Sequence, residues 1–144
     1  MKKYLILICF LFATIVSAQK WEHKIEDAMA LAKKSNQNIL LVFSGSDWCA
    51  PCIKLDKSIW QSEDFKSYAK THWVLLKADF PRKKANQLPE EQVKENGLLA
   101  EKYNKKGYFP LVLLINSEGK VLGETGYKNI TPKQYIDLLK AFEN

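Results

Sequence analysis

Cysteine is scarce in this chain of 144 residues: there are three, and only Cys49 and Cys52 lie close together. Histidine is scarcer, with His23 and His72 alone. No second Cys pair exists to complete a closed zinc or copper site begun by Cys-x-x-Cys. Both imidazoles read more simply as surface or half-buried residues. Beyond the N-terminal segment, no apolar run reaches the roughly 20 residues a bilayer-spanning helix needs. Neither an internal repeat nor a low-complexity tract is present. A strong excess of one charge is also lacking, with 22 Lys and Arg against 16 Asp and Glu. Such a balance does not argue for nucleic acid. The densest basic run, Arg82-Lys83-Lys84, follows Pro81 in a loop and reads as a solvated face.

What is present begins with a leader. Met1-Lys2-Lys3 is a basic n-region, Tyr4 to Val16 an apolar h-region, and Val16-Ser17-Ala18 a peptidase site. Residues 1–18 are therefore expected to be a signal peptide cleaved after Ala18, leaving one domain over residues 19–144. Cleavage takes the net charge from +6 to +4. It also removes Cys9, so the exported chain keeps two cysteines, both in one motif. Export implies a disulfide-permissive compartment, the periplasm or the outside of the cell.

The exported part alternates helix and strand patterns. Ile25, Ala28, Met29 and Ala32 lay an apolar stripe along a first helix that Asn36-Gln37-Asn38 breaks. Ile39 to Phe43 is a continuous apolar run suited to a strand buried on both faces. The Ser44-Gly45-Ser46-Asp47 loop leads from it to a helix carrying Cys52, Leu55 and Ile59, and Ser62 caps another helix from Glu63. Trp73 to Asp79 reads as a strand, Pro81 to Pro89 as an irregular insertion, and Pro89-Glu90-Glu91 as a helix start fading near Asn104. Leu111 to Ile115 and Val121 to Thr125 read as an antiparallel hairpin turned by Asn116 to Gly119. Thr131, Pro132 and Gln134 then open a closing helix with a Tyr135, Leu138, Leu139, Phe142 stripe. This order predicts an α/β fold with helices on both faces of a mixed sheet.

Two thiols three residues apart at a helix start form a unit that can close and reopen a disulfide. Cys49 would face unpaired backbone N–H groups and the positive end of the helix dipole, which favour its thiolate and make it the nucleophile. Cys52, one turn in, would attack the mixed disulfide and release it as the resolving thiol. Pro51 is tolerated because a first-turn residue makes no intrahelical use of its N–H.

The run Asp47-Trp48-Cys49-Ala50-Pro51-Cys52 after a buried strand, with Tyr108-Phe109-Pro110 opening a later one, resembles the thioredoxin superfamily over most of the exported chain. The Gly45-to-Cys49 entry and the insertion after Ala78-Asp79-Phe80 resemble exported members related to the C-terminal domain of a membrane electron carrier that reduces periplasmic partners. The resemblance implies a three-layer thioredoxin-like fold with a central mixed β-sheet flanked by helices. It also implies a cis Pro110 beside the dithiol and a substrate groove of Trp48, Ala50, Pro51, Tyr108, Phe109 and Pro110, with the Phe109 backbone pairing with an extended substrate. For Trp48 and Tyr108 the alternative is ordinary core packing.

One departure stands out. Where thioredoxin has a buried acid on the strand before its motif, this chain has Val42 or Phe43. Lys77, Asp79 or Asp47 could relay a proton through water, although each reads first as a solvated charge. The implied function is an exported thiol:disulfide oxidoreductase reducing protein disulfides through the Cys49–Cys52 couple. No cofactor or metal is implied, and the chain is read as a monomer fed by a membrane-bound electron donor. The alternatives are an oxidase or isomerase, a metal-binding protein, and a binding module without turnover.

Overall fold

The computed structural model describes residues 18–144, so the expected leader with its Cys9 lies outside the described residues, Ala18 apart. Five strands form one sheet in the order β1-β3-β2-β4-β5. They are β1 Trp21–Glu22, β2 Asn38–Ser44, β3 Trp73–Asp79, β4 Leu111–Ile115 and β5 Val121–Thr125. β1 and β2 run parallel to β3, whereas β4 runs antiparallel to β2 and β5. The mixed sheet expected from the helix and strand order is thus present. The edge strand β1 is an addition that two residues could not announce.

Alternation along the central strands sorts the core into two halves, because neighbouring side chains point to opposite faces. Leu40, Val42, Val112 and Leu114 meet α2 (Ala50–Leu55), α3 (Glu63–His72) and α5 (Pro132–Lys140) through Leu55, Phe65, Ala69, Tyr135 and Leu139. Ile39, Leu41, Phe43, Leu111 and Leu113 face the other way, onto Ala28 and Ala32 of α1 (Ile25–Ser35) and Leu99 of α4 (Glu90–Tyr103). These are the three layers implied by the resemblance.

The helix ends follow their local chemistry. Asn36 adopts a left-handed φ of 53° and closes α1. The Ser62 hydroxyl accepts the Phe65 N–H at 3.2 Å, and Thr131 and Gln134 form the expected reciprocal box. In α5 the buried face is Tyr135, Ile136 and Leu139, with Leu138 only half-buried, and Phe142 falls beyond the helix, half-buried in the 3-10 turn Ala141–Glu143. Ile136 therefore joins the stripe, which is shifted from the expected one.

Directly after α2 the helix widens into a π-helical turn, Asp56–Trp60, a local insertion that is often found near functional sites. It seats Ile59 and Trp60 side by side in the core at 0 % and 2 % exposure.

Candidate active site

Sheet register decides which residues meet. Ser44, the last residue of β2, pairs with Asp79 at the end of the parallel strand β3, and Phe43 pairs with Leu111 at the start of the antiparallel strand β4. Three segments therefore emerge at one end of the sheet: Gly45 to Cys49 after β2, Phe80 onward after β3, and Tyr108 to Pro110 before β4. Ligand sites in α/β sheets commonly form where neighbouring connections diverge in this way.

The first segment is a tight turn. Cys49 N–H donates to the Gly45 carbonyl at 2.9 Å, and Cys49 then occupies the N-cap of α2. Gly45 is required here, because a Cβ at this position would run into the indole of Trp48. Cys49 and Cys52 are joined in a disulfide with Cα atoms 5.2 Å apart. The Cys49 Sγ accepts the backbone N–H of Cys52 at 3.3 Å, and the Cys52 Sγ accepts that of Gly45 at 3.5 Å. Both cysteines are buried, while Ala50 and Pro51 are exposed above them.

An aromatic wall ties the three segments together. The Trp48 ring lies 5.5 Å from that of Phe109, Phe109 lies 5.4 Å from Phe80, and Phe80 stacks on Phe43. Trp48 Nε1 donates to the Phe80 carbonyl at 2.7 Å. The Phe109–Pro110 peptide is cis, as the resemblance implies. Core packing does not describe Tyr108, which is 54 % exposed and is held through its backbone by the buried Asn104. Trp48 is half-buried. Trp48, Phe109 and Pro110 thus gather at the sheet end that carries the cysteines.

The three groups considered for proton relay are differently placed from their sequence reading. Asp79 accepts from the Ser46 N–H at 3.0 Å and the Ser46 hydroxyl at 2.6 Å, and so pins the turn. Asp47 accepts from the N–H groups of Arg82 and Lys83, both at 2.9 Å, and from Asn86 Nδ2 at 3.0 Å. Neither is simply a solvated charge. Each closes a turn. Lys77 lies 3.7 Å from Asp56, a carboxylate one helical turn beyond Cys52 that the sequence reading did not single out. Position i+4 on a helix is the only signal that could have marked it.

The insertion is corrected in the same way. It contains a short 3-10 turn, Lys84–Asn86. Arg82 is exposed, as a solvated loop face requires, but its guanidinium also sits 3.7 Å above the Trp48 ring.

The Asp47 anchor should respond to acid. The Arg82 N–H, then the Asn86 amide, hold its carboxyl below the usual aspartate range. With its pKa depressed in the folded state, the anchor is fully present above the ordinary value near 4 and is lost as pH falls through the lowered one. The Arg82 and Lys83 amide proton resonances should therefore titrate together below about pH 4, and Asp47→Asn should abolish that titration. Amide shifts indifferent to acid would refute the anchor.

Among the described residues, no group of three or more His, Cys, Asp or Glu is placed to hold a metal ion. His72 stacks on Tyr68 at the end of α3, ahead of the start of β3 and away from the cysteine end of the sheet.

Residues 20–117 match the thioredoxin-like family. The chain is 38 % identical over 122 residues to the disulfide bond reductase DsbH of Chlamydia pneumoniae, covering 85 % of this chain and 71 % of that protein. The solved structure of a DsbH oxidoreductase superposes with a TM-score of 0.80 at 36 % identity, covering 88 % of this chain and 85 % of that one. The C-terminal domain of Neisseria meningitidis DsbD, oxidised form, shares the fold at a TM-score of 0.51 and 18 % identity, over 81 % of this chain and 91 % of that one. The chain belongs to the thioredoxin-like family, and with its paired cysteines at the start of α2 it is a thiol:disulfide oxidoreductase.

Proposed function

We propose that the protein is exported and reduces disulfides in other proteins, with Cys49 as nucleophile and Cys52 as resolving thiol. The observation that carries this reading is the Cys49 Sγ at the N-cap of α2, accepting the Cys52 N–H. An acceptor at a helix start is favoured most when it is anionic, so the same bond stabilises a Cys49 thiolate once the bridge is reduced.

In the reduced protein the Cys49 thiolate attacks one sulfur of a substrate disulfide. A mixed disulfide forms, and the first substrate sulfur leaves as a thiolate. Cys52, on losing its proton, attacks the Cys49 sulfur, closes the Cys49–Cys52 bridge and expels the second substrate sulfur. Two electrons have moved to the substrate, whose sulfurs take up two protons. The protein is left oxidised, and a membrane-bound donor supplies two electrons to reset it. Trp48, Ala50, Pro51, Tyr108, Phe109 and Pro110 line the face on which an extended substrate segment lies, with the Phe109 backbone as its partner.

The direction of transfer rests on the likeness to a protein named a disulfide bond reductase, and export rests on the leader expected over residues 1–18. Equilibrating the Cys49–Cys52 couple against dithiothreitol tests the direction. A potential near the thioredoxin value of about −270 mV, with insulin reduced in the same assay, is the expected result. A potential near about −120 mV would make the protein an oxidant and overturn the reading.

A further inference from the structure

The insertion between β3 and α4 does more than cover the sheet end. Arg82 lies on the indole of Trp48, the residue immediately before the nucleophile, and Arg82 and Lys83 are fixed through their backbone N–H groups by Asp47, two residues before it. A guanidinium over an indole at this distance is held by the ring's negative face as well as by packing. Beside it, Lys83 and Lys84 are exposed. Two acids lie at this turn: Asp47, whose oxygens accept from N–H groups of the insertion and whose charge also acts on Lys83, and Asp79, whose oxygens are held by Ser46.

The opposite rim is also basic. Lys105 and Lys106 are exposed just before Tyr108, and Lys106 Nζ lies 5.8 Å from the Tyr108 ring centroid. Asn104, only 5 % exposed, holds this loop by accepting the Tyr108 N–H and donating to its carbonyl, both at 2.9 Å. Glu124 shares the hollow behind it with Lys102, Lys105 and Lys106. None of Arg82, Lys83, Lys84, Lys105 or Lys106 is in an ion pair among the described residues. Five exposed cations thus lie on the two segments that flank the Trp48–Phe109 wall.

We infer that this face docks polypeptide segments that carry acidic residues beside their cystine, and that Arg82 determines this preference. The inference rests on the reductase reading and names the substrate class within it. Unpaired cations beside a reacting centre raise the encounter rate of anionic partners and oppose that of cationic ones. Because the insertion is anchored rather than free, Arg82 presents its charge at a fixed place next to Cys49. An acidic substrate side chain meets a preset partner there without ordering a loop first.

The test uses the full reduced protein with two cystine peptides identical except for Asp or Lys on either side of the half-cystines, and with neutral hydroxyethyl disulfide. The acidic peptide is expected to be reduced about 10-fold faster or more at low salt, a ratio that collapses near about 0.5 M salt, where the screening length is about 4 Å. Arg82→Gln should lower that ratio several-fold, and Lys83→Gln with Lys84→Gln should lower it further. Equal rates for the two peptides, with hydroxyethyl disulfide turned over normally, would overturn the inference and leave the reductase reading intact. Failure to reduce any of the three would overturn both.

Discussion

Cys52→Ser is expected to convert the protein from a turnover catalyst into a trap. Its multiple-turnover rate should fall to that of uncatalysed exchange, while covalent adducts of substrate accumulate on Cys49. Cys49→Ser should fall to the same rate and accumulate no adducts. Exposure does not explain this asymmetry, since the two residues stand at 5 % and 3 %. Position does. The Cys49 sulfur receives the N–H of Cys52 at the helix start, where a thiolate is stabilised and activated. Cys52 lies within the first turn under Gly45 and is placed to attack the neighbouring sulfur. Mass spectrometry of each variant after mixing with a disulfide substrate reads the result directly. Adducts on Cys52 in Cys49→Ser, with none on Cys49 in Cys52→Ser, would reverse the assigned roles.

The largest loss of stability from a single side chain is expected at Trp60. Its ring meets Trp21 at 6.0 Å, Phe65 at 4.7 Å and Tyr135 at 5.5 Å, which links the edge strand, α3 and α5 through one residue that is 2 % exposed. Trp60→Ala removes the side chain from a close-packed site whose neighbours belong to separate elements and cannot all collapse inward. A cost of about 3–5 kcal/mol follows from large-to-small changes of this kind. Urea unfolding should show it as a lower midpoint at unchanged slope. A loss below about 1 kcal/mol would mean that the cluster repacks, contrary to the geometry.

Much of this fold could be read from the chain because its central strands are apolar on both sides. Ile39 to Phe43, Trp73 to Asp79 and Leu111 to Ile115 stand out as runs too short for helices, and each is a strand. β1 left no such trace. Its two residues are held in place by pairing with Leu75 and Leu76, over fifty positions away. The π-helical turn was equally hidden, since Asp56 to Trp60 continue a helical pattern, and the burial of adjacent Ile59 and Trp60 together shows only in the folded chain.

The cysteine pair was legible because its spacing is local, and the cis Pro110 because Tyr108-Phe109-Pro110 carries the family resemblance. The roles of Asp47 and Arg82 were not, for a physical reason. Thirty-five residues separate the Asp47 carboxylate from the N–H it accepts, and only the parallel register of β2 with β3 brings them together. Read one at a time, an Asp in a polar loop and an Arg in a basic loop are both solvated charges. The same reasoning applies to Lys77 and Asp56, which meet across a strand and a helix.

The Asp47 anchor also sets where this segment can be cut for transplantation. Residues 81–89 look like a self-contained loop, yet their geometry is written partly in the turn before the motif, through the Asp47 oxygens and the Trp48 indole. Moved alone into a related scaffold, they would arrive without the acceptor that shapes them. The exchangeable unit is a pair of distant pieces, 45–48 and 80–89, and recombination that keeps them together carries the anchored geometry of this segment from one protein to another.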